Sequence, residues 1–86
     1  MTVSDGHAGH YRSENGMGVE MIVKDGRLFA VPAGQGPISL SAVDEITFRP
    51  PAFEGVRVTF KVEDGKTTGF ELRQGGIGMK LKRVES

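Results

Sequence analysis

The 86-residue chain has no cysteine, no tryptophan and a single tyrosine. Without cysteine there is neither a disulfide framework nor a thiolate metal site, so stability must come from packing and backbone pairing. Long apolar runs are also missing, and none approaches the roughly 18 residues of a membrane-spanning helix. Residues 1–10, "MTVSDGHAGH", carry neither the basic start nor the apolar stretch of a secretion signal. A processed secreted domain has the same appearance, so the compartment stays open. There is no excess of either charge sign: eleven basic residues meet eleven acidic ones, and like charges never run in long blocks. That balance argues against an electrostatic nucleic-acid binder, which needs a basic face to neutralise phosphates.

Helical periodicity is absent as well. No window keeps apolar residues at i, i+3, i+4 and i+7 over a helix-sized length. The nearest, "ISLSAVDEI" (38–46), alternates in a way that suits strand, turn and strand. What the chain does have is thirteen glycines and four prolines spread along its length. They punctuate short runs spaced by about 8–12 residues, the spacing of an all-β sandwich or barrel. In "VRVTFKV" (56–62), Val56, Val58, Phe60 and Val62 point one way while Arg57, Thr59 and Lys61 point the other. The "EDGK" that follows, and Asp25-Gly26 inside "VEMIVKDGRLFAV", supply the positive φ values of tight hairpins. "GHYRSE", "ISLS", "EITFR", "TTGFELR" and "MKLKRV" complete the set.

About eight short strands joined by tight turns would leave two bare edges in an open sheet, and closure removes them. The expected fold is therefore all-β: a small antiparallel up-and-down barrel over residues 9–86, preceded by a flexible lead-in over residues 1–8. A chain this short forms one domain with a small core, burying roughly 60–65% of its unfolded surface. The inward set includes Tyr11, Val19, Met21, Val23, Leu28, Ala30, Ile38, Leu40 and Ile46. It continues with Phe48, Val56, Val58, Phe60, Val62, Phe70, Leu72, Met79 and Leu81. An eight-stranded barrel is just wide enough to be filled by such side chains or to hold one small ligand.

The order of "AGHYRS" (8–13), "DGRLFAV" (25–31) and "VRVTFKVEDGKTTGFELRQGG" (56–76), closing on "KR" (82–83), resembles the lipocalin-like β-domain at the C-terminus of many β-lactamase-like serine hydrolases, the penicillin-binding-protein relatives. The likeness runs from Ala8 to Val84. It implies a small lipocalin-like barrel acting as an accessory to a catalytic domain. No Ser-x-x-Lys occurs in the chain, so the family's nucleophile has no counterpart here.

Candidate chemistry is sparse. His7 and His10 are three residues apart, but Gly6 and Gly9 flank them and no helix signal follows, so they read as part of a loose tail entering the first strand. Tyr11 reads as a core or rim aromatic. "GQG" (34–36) and "QGGIG" (74–78) lack the following helix that a phosphate-cradling loop requires. Asp44 with Glu45, and Glu63 with Asp64, fall at wet turns. Lys80, Lys82 and Arg83 form the solvated face of the last strand. No catalytic, cofactor-binding or metal residue is assigned.

The hairpin "MIVKDGRLF" carries the one candidate contact surface: Ile22, Leu28, Phe29 and Val31. A two-residue loop pairs Ile22 with Phe29 and puts both outside if Val23 and Met21 face inward; a three-residue loop puts Leu28 outside with Ile22 instead. The functional expectation is a non-enzymatic accessory or interaction module, associated with a hydrolase domain or with a second copy of itself. The alternative is a carrier holding a small apolar ligand inside the barrel. No nucleic-acid partner, membrane span or cofactor is expected.

Overall fold

Eight antiparallel strands follow one another around a closed barrel in chain order, β1 pairing with both β2 and β8. A computed structural model describes residues 5–84. The strands are β1 (Gly9–Ser13), β2 (Gly18–Lys24), β3 (Arg27–Pro32), β4 (Ile38–Ala42), β5 (Thr47–Arg49), β6 (Val56–Glu63), β7 (Lys66–Gln74) and β8 (Ile77–Val84). The all-β, eight-stranded expectation is met. No helix among the described residues is long and apolar enough to cross a membrane.

Turn chemistry fixes the register. Asp25 and Asp64 have φ of 53° and 52°, and the glycines after them have φ of 75° and 77°. Two consecutive positive φ values make the tight turn whose twist matches that of its flanking strands. Lys24 therefore pairs with Arg27 across β2–β3, and Glu63 with Lys66 across β6–β7. Alternation then places Tyr11, Val19, Met21, Leu28, Leu40, Phe48, Val58, Phe60, Phe70 and Leu81 in one buried cluster with Ala30. Val23, Leu72 and Met79 are half-buried against it.

Two expected inward residues lie outside. Ile46 is 40% exposed because β5 begins one residue later, at Thr47. The Asp44 carboxylate accepts hydrogen bonds from the backbone N–H groups of Ile46 (3.0 Å) and Thr47 (2.8 Å), which makes a turn where alternation suggested strand. Val62, 44% exposed, sits at the barrel end beyond a bulge in the β6–β7 ladder.

That bulge matters. Lys61 pairs with Gly69 while Val62 pairs with Thr67, so Thr68 is the extra residue on β7. One inserted residue reverses which way every later side chain points. Thr67 consequently turns inward and is buried, although simple alternation from Phe70 and Leu72 would send it outside.

Candidate interaction surface

The interior holds rings. His7 stacks on Phe60 with centroids 4.1 Å apart and planes 8° from parallel. Phe48 meets both of them edge-on, at 5.6 Å from Phe60 and 5.8 Å from His7. Tyr11 lies edge-on to Phe70 at 5.0 Å, and Phe70 to Phe60 at 5.6 Å. Edge-on and offset pairs of this kind each contribute about 0.5–1.5 kcal/mol beyond their burial.

His7 corrects the expectation of a loose lead-in. Residues 1–4 lie outside the described residues, but Asp5–His7 forms a short 3-10 turn, and His7 is only 6% exposed. The Glu45 carbonyl, 3.3 Å from Nε2, can only accept, so Nε2 carries the proton. In the neutral imidazole Nδ1 then accepts from the Thr67 hydroxyl, 2.8 Å away. The Tyr11 hydroxyl donates to the His7 carbonyl at 2.8 Å. Burial pushes the Tyr11 phenol above its usual value, and the Arg83 cation offsets part of that rise. Arg83 holds the turn from outside, donating to the carbonyls of Gly6 (3.1 Å), Thr67 (3.0 Å) and Ala8 (2.5 Å). Every polar atom this plug buries is thus satisfied. Nothing in "DGHAGH" announces it. The partners come from the β4–β5 turn, from β6 and from a bulge-inverted threonine on β7.

His10 points outward on β1, 3.6 Å from Glu20, while His7 points inward. The two imidazoles face no common point. Asp44, at the neighbouring turn, has its carboxyl held below the usual range by the backbone N–H groups of Ile46 and Thr47.

The hairpin register is the two-residue one. Val23 pairs with Leu28, Ile22 with Phe29, and Glu20 with Val31. Leu28 is fully buried, which removes it from the candidate surface: the Asp25-Gly26 turn commits it to the core with Met21. Ile22, Phe29 and Val31 lie on the outer face, each half-buried among its neighbours. Ser39, the next residue across from Phe29, borders them.

The chain matches no family model, no curated protein and no solved structure.

Proposed function

We propose that the chain is a non-enzymatic accessory module that docks through the outer face of β2–β3, in association with a serine-hydrolase-type partner domain. The observation that carries this reading is the outward Ile22–Phe29 pair, extended by Val31, on a hairpin whose inner residues already complete the core. Single apolar residues on a surface are ordinary, whereas a contiguous cluster favours an interface. The motif order resembling the C-terminal domain of serine hydrolases supports a hydrolase as the partner. Packing favours this reading over the carrier alternative, because the rings of His7, Tyr11, Phe48, Phe60 and Phe70 occupy the space that an apolar ligand would need.

The test is hydrogen exchange along β2–β3, with and without a penicillin-binding-protein-type hydrolase and over a range of concentrations, together with light scattering. Docking slows exchange of the hairpin amides. Ile22→Lys abolishes that slowing while the far-UV circular dichroism spectrum stays unchanged. Hairpin amides that exchange equally under all of these conditions overturn the proposal.

A further inference from the structure

The balanced charge of the chain is not balanced in space. Antiparallel pairing sets the outer faces of β6, β7 and β8 side by side around a groove of about 800 Å³. Its charged lining consists of the cations Lys61, Arg73, Lys80, Lys82 and Arg83 against only two carboxylates, Glu63 and Glu71. Both carboxylates are already engaged, Glu63 with Lys61 at 3.3 Å and Glu71 with Arg73 at 3.2 Å. Arg83 is engaged as well, by the backbone carbonyls of Gly6 and Ala8 in the N-terminal segment and of Thr67 on β7. Lys80 and Lys82 have no ion-pair partner among the described residues.

Register sets Glu71 directly opposite Lys80, but it compounds the excess elsewhere. Lys82 lies directly opposite Arg12 of β1, and Arg57 directly opposite Arg73. Like charges placed directly across a ladder destabilise a sheet. Several acids of the chain sit at turns away from these strands, namely Asp25, Asp44, Glu45 and Glu54, while Asp64 lies at the tip of the β6–β7 hairpin. At the middle of the basic face, Gly69 stands between Lys61 on β6 and Lys82 on β8. It has no side chain to offer, and a Cβ there would collide with the Leu81 carbonyl. Gly69 is itself buried and does not line the groove, so no side chain stands between the two lysines, which are flanked by the hydroxyl-bearing Thr59 and Thr68.

We propose that this groove binds an acidic peptide segment, its carboxylates meeting Lys80, Lys82 and Lys61. Charge complementarity selects the class of ligand. Three further features favour a peptide over a nucleic acid strand. The aromatic rings of β6 and β7 point inward, so no exposed ring on this face stacks a base. Glu63 and Glu71 interrupt the cations and repel a phosphodiester run, whereas a peptide can space its carboxylates around them. Thr59 and Thr68 suit neutral backbone groups between those carboxylates. The barrel has no free edge, so recognition here runs through side chains and not through addition of a strand. This site is separate from the β2–β3 face, and either one can fail without the other.

The experiment uses fluorescence anisotropy with a labelled hexaglutamate peptide, on the wild type, on Lys80→Glu/Lys82→Glu and on Lys24→Glu as a control outside the groove. Wild type binds at low salt, with affinity falling as salt rises. The double reversal weakens binding by at least about tenfold, as expected from reversing two exposed ion pairs. Lys24→Glu changes it less than about twofold. Backbone amide shifts on titration centre on Gly69 and Lys82. Absence of peptide binding to the folded wild type overturns the proposal, as does equal weakening by Lys24→Glu. A single-stranded oligonucleotide of equal charge that binds more tightly than the peptide overturns the choice of ligand.

Discussion

Replacing His7 with alanine tests whether the N-terminal turn is part of the folded barrel. The substitution removes a ring stacked 4.1 Å from Phe60 and deprives the buried Thr67 hydroxyl of its partner. Loss of a packed ring at the barrel end costs about 2–3 kcal/mol, below the full cost of a buried phenylalanine because solvent is near. The unpaired Thr67 hydroxyl adds about 1–2 kcal/mol. The sum, about 3–5 kcal/mol, is large against the roughly 4–13 kcal/mol expected for a chain of this size. Urea denaturation reads it directly. With m near 1 kcal/mol/M, the midpoint should fall by about 3–5 M, or the variant should be unfolded in buffer. His7→Phe separates packing from hydrogen bonding, because it keeps the stack but strands Thr67 and the Glu45 carbonyl. Adding Thr67→Val should recover about 1 kcal/mol or more of that loss, since removing both polar partners costs less than removing one. A midpoint shift below about 0.5 M for His7→Ala would refute the reasoning and return residues 5–8 to the status of a loose lead-in.

Gly69→Ala should destabilise the barrel by about 1–3 kcal/mol in the same assay, because its Cβ has to displace the Leu81 backbone; a neutral result would show that β7 and β8 separate freely at that point. The Tyr11 phenol, raised by burial, should ionise above pH 10 when followed by phenolate absorbance. Its contribution to stability is complete below the unfolded-state value near 10 and is lost as pH climbs through the higher folded-state value; a midpoint at or below 10 in the folded protein contradicts the burial.

The architecture was legible in local features of the chain. Strict alternation in "VRVTFKV" and Asp-Gly dipeptides at two hairpin tips are local signals: a side-chain period of two and a left-handed turn need no distant partner to be recognised. The same locality made the pairing of Ile22 with Phe29 legible, one of the two registers the hairpin allowed. Whatever depended on which strands became neighbours emerged only in the folded barrel. His7 is buried because residues far along the chain, Glu45, Phe60 and Thr67, converge on it, and Thr67 faces inward only because of the extra residue in β7. Leu28 left the candidate surface once the turn proved to have two residues. The basic face has the same origin. A charge count over a sequence sums to zero however the charges are placed, whereas pairing β8 with both β1 and β7 sets Lys82 beside Arg12 and across a bare glycine from Lys61. Electrostatic fields follow distance in space, and closing the barrel is what set those distances.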